Sequence, residues 1–228
     1  MNKVNIPLLL LSTALLLSPP SYADLARAKQ AIASGNGEKA MMELTRLAGD
    51  GNSEAQYLLG KLYAEGVLTT QDHNRSMLAL TLSIENGYPL AKTLLESAKK
   101  KINLIQLAAL QEEVGNFFNS GGPVAVNPER AAEWLGERAL NPVPYTHEER
   151  GEMARRVGKI HEMKLFSFTA AHSWYTLAVA FGTERAQRDR MRMELFLQEQ
   201  SLSQSRNDAI KQYKRYLKHH KKMVEGSL

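Results

Sequence analysis

A recurrent spacing of small residues restricts the fold of this chain more than any reactive motif does. Gly60 is followed by Tyr63 at three residues, Gly66 at six and Ala79 at nineteen; Gly115 is followed by Phe118, Gly121 and Trp134 at the same distances. A worn third copy begins at Val157-Gly158, with His161 and Lys164 at the aromatic and second-glycine positions and a loop three residues shorter. Within it, Trp174, Gly182 and Ala186 repeat the eight-then-four spacing of Ala79, Gly87 and Ala91. Self-similarity at such intervals signals a chain built from one repeated supersecondary unit.

Each copy reads as a helical hairpin. Apolar positions such as Leu58, Leu59, Leu62 and Tyr63 fall three and four residues apart, which gives a helix one buried stripe. Ser53-Glu-Ala-Gln56 and Thr146-His-Glu-Glu149 have the form of capping boxes, and Asn127-Pro128 sets a cap residue before a proline at the first helical position. Gly66, Gly87, Gly121 and Gly182 stand where a helix needs a residue of positive φ to stop. A glycine inside a helix, such as Gly60, costs about 1 kcal/mol against alanine. Its return in register therefore points to the close approach of a neighbouring helix.

The units span about 48–91, 104–140 and 147–186. An earlier hairpin is expected over 25–35 and 38–48, and helices over 91–101 and 104–118, the latter capped by Asn103. A final pair is expected over 184–200 and 202–220, its second member opened by the Ser201-Leu-Ser-Gln204 box and ending in a basic tail. Loops fall at 119–127 and 141–145, residues 24–228 read as one helical-repeat domain, and nothing in the chain supports a sheet.

The pattern Ala48-x-x-Gly51-x-x-x-Ala55-Gln-Tyr-Leu-Leu-Gly60-x-x-Tyr63-x-x-Gly66-Val67, continued through Gly87 and Ala91, resembles the SEL-one-like repeat family, relatives of the tetratricopeptide repeats. Ala171-x-x-Trp174-Tyr175-x-x-Ala178-x-x-x-Gly182-x-x-x-Ala186 carries the likeness into the third copy. The resemblance implies an all-α fold, an α-solenoid of stacked antiparallel helical hairpins wound as a right-handed superhelix. It also implies a non-enzymatic adaptor or assembly scaffold, of the kind that exported bacterial members supply to envelope complexes. The motif residues are structural, and none carries over as catalytic.

The chain opens with Lys3, an apolar run over 6–17 and then Ser18-Pro-Pro-Ser-Tyr-Ala23, the parts of a secretory signal peptide over 1–23. At twelve residues the run falls short of the roughly 20 that a membrane-spanning helix needs. Cleavage near Ala23-Asp24 and a periplasmic or secreted location are expected, with no transmembrane segment in the mature chain. There are no cysteines, which excludes disulfides, thiolate metal sites and cysteine nucleophiles together.

Charge is unevenly spread. Seven Lys and Arg against two acids lie from Arg206 onward, whereas 21 basic and 22 acidic residues occupy 24–205. Attraction to polyanions would therefore reside in the tail. The residue after each key glycine gives Lys61, Asn116 and Lys159, and the residue three before it gives Tyr57, Glu112 and Arg155; on first helices facing a concave side these form a ladder for a protein partner. The tail offers Lys211, Lys214, Arg215, Lys218, Lys221 and Lys222 to an anionic envelope surface, with Ile210, Tyr213 and Leu217 as its docking stripe. Nucleic acid is not an expected partner of an exported chain.

Other motifs lead nowhere. Ser97-Ala-Lys-Lys100 has a nucleophile spacing that needs a mixed sheet-and-helix fold. Gly35-Asn-Gly37-Glu-Lys39 lacks the strand and full spacing of a phosphate loop. His161 and His172 do not share the short helical spacing of a zinc site. No metal and no cofactor is expected. An enzyme or small-ligand binder would need converging acid, base or nucleophile groups, which the ladder lacks.

Overall fold

The computed structural model describes residues 22–143 and 146–225. Among these residues there are eleven helices and no strand. They run α1 Tyr22–Ala33, α2 Gly37–Gly49, α3 Ser53–Glu65, α4 His73–Glu85, α5 Ala91–Lys99, α6 Leu104–Ser120, α7 Pro128–Leu140, α8 His147–Met163, α9 Phe168–Ala180, α10 Glu184–Glu194 and α11 Glu199–Glu225. The expected leader lies outside the described residues, apart from Tyr22 and Ala23, which open α1.

The fold is an α-solenoid. Helices α1 and α2, α3 and α4, α6 and α7, and α8 and α9 pack as antiparallel pairs, and each second helix leans on the next helix in the chain: α2 on α3, α4 on α5, α7 on α8 and α9 on α10. The core is correspondingly linear. Leu25, Leu44, Leu47, Leu59, Leu62 and Ala79 fill the first part, and a second cluster runs from Met77 and Leu80 through Val114, Leu135, Val157 and Leu177 to Tyr216. Because α4 contributes to both, the two parts are continuous.

Turn chemistry explains most of the boundaries. Gly66, Gly87, Gly121 and Gly182 all have positive φ, as expected. Thr146 and Glu149 form the reciprocal capping box, Asn103 and Gln106 form another, and Asn127 caps α7 ahead of Pro128. The box expected at Ser53 is absent, because Asn52 takes the cap by accepting a hydrogen bond from the Ala55 amide at 2.9 Å, which frees Gln56 to turn inward. The box expected at Ser201 is also absent, since α11 is already under way at Glu199. In the third unit the turn after the first helix lacks a glycine, and Phe166 takes φ +51° in its place.

Two departures matter for function. Helix α5 interrupts the pairwise order: it packs on α4 and touches α3, while α6 leans directly on α4. Helix α11 does not close a hairpin with α10. It lies across α9 and reaches α7, so the chain's end runs back over the second helices.

Candidate functional site

The glycine register that defines the units also aims the candidate ladder. On α3, α6 and α8 the glycines face Leu80, Leu135 and Tyr175 of the paired helices, so the residues beside them rotate away from the hairpin seam. Tyr57 is half-buried with its ring 5.2 Å from that of Tyr88, and Lys61 is exposed, 3.8 Å from Glu65. On the next unit Glu112 accepts a hydrogen bond from Arg156 Nη1 at 2.9 Å, and Asn116 accepts one from Arg156 Nη2 at 2.6 Å. Arg155 turns the other way, donating to Asp189 of α10 at 2.5 Å and to Glu152 at 3.0 Å. Lys159 is exposed.

Glu112 and Asn116 are thus brought together by one guanidinium, and Arg155 joins a different cluster. Tyr57 and Lys61 belong to neither cluster. Arg156 and Asp189 are the members that spacing alone did not single out; an Arg one residue beyond the ladder position was their only trace.

Asp189 belongs to a network that ties three helices. Arg192 donates to Glu162 at 2.8 and 2.9 Å and to Asp189 at 3.1 Å, while Tyr175 donates to Glu162 at 2.5 Å. Burial pushes the Tyr175 hydroxyl well above its ordinary value, and the Glu162 carboxylate adds to the effect. Burial works against ionisation of Glu162, but the Arg192 and Tyr175 hydrogen bonds outweigh it and hold that carboxyl below its usual range.

The second candidate region, the tail, docks by a different face from the one expected. Ile210, Tyr213 and Leu217 are 52, 38 and 46% exposed, whereas Ser205, Ala209 and Tyr216 are buried. The physical reason is size. Ser205 and Ala209, four residues apart, let α11 approach α9 closely, and Tyr216 then seats its ring edge-on to Phe181 at 5.2 Å and under Arg150 at 4.4 Å. Lys211, Lys214, Arg215, Lys218, Lys221 and Lys222 are exposed on the remaining faces, with Arg215 held by Glu137 of α7 at 2.6 Å.

The displaced stripe instead lines a groove between α9, α10 and α11 of about 630 Å³. Leu177, Ala180 and Ala209 help form its apolar lining, alongside the stripe residues, with Arg190, Arg206 and Lys214 around them. At its inner end His172 lies between Ser205 Oγ, at 2.5 Å from Nδ1, and Glu194, at 3.3 Å from Nε2. A serine, histidine and carboxylate in line invite a hydrolytic reading. Ser205 is fully buried, however, so a substrate carbonyl has no approach to Oγ, and the arrangement serves to fasten three helices. Among the described residues no cluster of three or more His, Asp or Glu side chains could hold a metal ion. Nor is any described helix long and apolar enough to cross a membrane.

No family model and no curated relative matches the sequence. The chain is similar to the solved structure of a protective antigen present in uropathogenic Escherichia coli strains and displaying an SLR fold, with 19% identity over 89% of this chain and 48% of that one, at a TM-score of 0.40. This chain therefore spans about half the length of that antigen. It is also similar to a Sel1 repeat protein from Oxalobacter formigenes, with 14% identity over 85% of this chain and 84% of that one, at a TM-score of 0.31.

Proposed function

We propose that this chain is a non-enzymatic scaffold of the bacterial periplasm or cell envelope that binds a protein partner along the first helices of its hairpins. The observation that carries the reading is the equivalent placement of Tyr57 and Lys61, Glu112 and Asn116, and Arg155 and Lys159 on α3, α6 and α8. Successive units thus set polar side chains at the same register positions, with Tyr57 in the first and Arg155 in the third. Tyr and Arg are the residue types most enriched where protein partners bind. The pairing of Glu112 and Asn116 by Arg156 supports the reading further, because it holds that part of the face in a fixed geometry before any partner arrives, which lowers the entropic cost of binding. The test is in-cell cross-linking with all six ladder residues replaced by alanine. Loss of the protein captured by the native chain is expected, and an unchanged capture pattern would refute the ladder.

A second reading, attachment to an anionic envelope surface through the tail, rests on the exposed Lys214, Lys218 and Lys222, which recur every fourth residue along one face of α11. Attachment of that kind is screened by salt. Release from membranes at high ionic strength supports it, and sedimentation that persists in salt refutes it.

A further inference from the structure

We propose that the groove between α9, α10 and α11 seats a single amphipathic helical segment of a partner protein, apolar on one stripe and acidic along its flanks. This deepens the scaffold reading and rests on it, but uses a surface outside the repeated first helices.

Four observations converge. Ile210, Tyr213 and Leu217 are a half-exposed i, i+3, i+7 stripe on α11 that lines the groove, Tyr213 with its ring 5.8 Å from that of Phe181, although the same helix buries Ala209 and Tyr216. An apolar stripe left uncovered beside a concavity is the receiving half of helix-in-groove recognition, which reads anchors at i, i+3 or i+4 and i+7. The groove's volume of about 630 Å³ suits a few such anchors. Its lining carries a net positive charge: Arg190, Arg206 and Lys214 line it against Glu194, which lies 3.3 Å from His172 and 3.5 Å from Arg190, while Arg206 is 3.8 Å from the exposed Glu199 outside the groove. Finally, the hydroxyl of Thr176 is buried at this groove without a hydrogen-bond partner among the described residues. Buried polar atoms of that kind are ordinarily satisfied, and acidic side chains and the polar backbone end of a docked helix supply acceptors.

The geometry selects this occupant over two others. A flat anionic bilayer meets the crests of a surface, whereas the apolar lining here includes Leu177, which is buried. A second copy docking by the same face would set Arg206 and Lys214 against their own equivalents, since a two-fold contact is self-complementary.

The experiment pans a phage-displayed library of random 16-residue peptides on the purified chain, then titrates a fluorescein-labelled synthetic peptide from the enriched set by anisotropy. Enrichment of peptides with apolar residues at i, i+3 or i+4 and i+7 and flanking Asp or Glu is expected. Binding should weaken about tenfold or more in Ile210→Asp and in Arg206→Glu/Lys214→Glu. These positions are exposed, so an unchanged circular-dichroism melt confirms that the fold is intact. Enrichment of basic or featureless peptides overturns the proposal, as does binding indifferent to both variants. A concentration-dependent dimer abolished by Arg206→Glu, or binding to phosphatidylglycerol vesicles without peptide enrichment, also overturns it in favour of those occupants. Failure here with cross-linked capture still lost in the six-alanine ladder variant leaves the scaffold reading standing, so the two failures are distinguishable.

Discussion

Gly60 lies so close to Leu80 that a β-carbon on it would stand 2.7 Å from Leu80 Cγ. Gly115 bears the same relation to Leu135, again at 2.7 Å, and Gly158 meets the ring of Tyr175 at 2.6 Å. These contacts set the distance between the two helices of each hairpin. Alanine at Gly60 or Gly115 gains about 1 kcal/mol in helix propensity but forces overpacking that costs about 1–3 kcal/mol. Both variants are expected to lower the urea midpoint. Gly49→Ala, with nothing within 4 Å of the added carbon, is expected to raise it by up to about 1 kcal/mol in stability. The Gly60→Ala loss should also shrink when Leu80 is itself alanine, since contacting sites are not additive.

That register was legible because it is local: a glycine, an aromatic and a second glycine at fixed intervals specify a hairpin without knowledge of its neighbours. The polar seam beneath was written at the same period yet misread. Gln56 looked like half of a capping box, and it is instead a buried bridge that donates to Ala48 O at 2.9 Å and accepts from Asn86 at 2.9 Å. Gln111 and Asn141 repeat this pairing at 3.0 Å, 55 residues further on. In the ladder, spacing located Glu112 and Asn116 but not Arg156, because what joins them is a long side chain from another unit. Hydropathy misled on α11, where small size rather than apolarity chose the docking face.

The amide bridge is expected to matter for stability. Asn141 is buried, donates to Gln111 and accepts from the Val143 amide at 3.1 Å, so its removal strands one buried acceptor, Gln111 Oε1, and one buried donor, the Val143 N–H. Leaving such groups unsatisfied costs about 1–3 kcal/mol. Asn141→Ala should therefore lose about that much in denaturant melts. The third unit carries Ala154 and Phe181 at the corresponding positions and fastens itself by packing instead.

Phe166 adopts a left-handed backbone that costs a side-chain-bearing residue about 1–2 kcal/mol. The residue is 73% exposed, so its ring contributes little in return. Phe166→Gly is expected to stabilise the chain by about 1 kcal/mol, offset in part by the unfolded-state entropy of glycine. Phe166→Ala, which keeps the strain and removes only the ring, should change the melting temperature little; equal gains from the two variants would contradict the strain.

Burial lowers the pKa of both His161 and His172, the latter despite the opposing pull of Glu194. The folded chain therefore holds these rings neutral at pH values where the unfolded chain, with an ordinary value near 6.5, has begun to take up protons. Their contribution to stability is complete above about pH 6.5 and is lost as the pH falls toward their folded values. Glu149 and Glu162 are lowered too, so their contribution fades only as the pH drops below the ordinary carboxylate range. Melting temperatures followed from pH 8 to 5 should decline, and the decline should flatten in His161→Gln. A flat profile in the native chain would remove the buried-neutral assignment.

The two faces of α11 make opposite predictions. Tyr216 is 8% exposed, meets Phe181 edge-on and lies beneath the Arg150 guanidinium, which itself donates to Ala139 O at 3.2 Å and Val143 O at 2.7 Å. Tyr216→Ala removes that cover and opens a cavity over a buried cation, with an expected loss of about 3 kcal/mol or more. Leu217→Ala on the exposed stripe is expected to cost under about 1 kcal/mol. It follows that deleting the tail from Arg206 onward does not isolate its charge, because the deletion also uncovers Phe181 and Arg150. Reversing Lys218, Lys221 and Lys222 to glutamate changes the charge while leaving Ala209 and Tyr216 seated. Equal destabilisation by Tyr216→Ala and Leu217→Ala, read from urea melts, would mean that α11 docks by the other face.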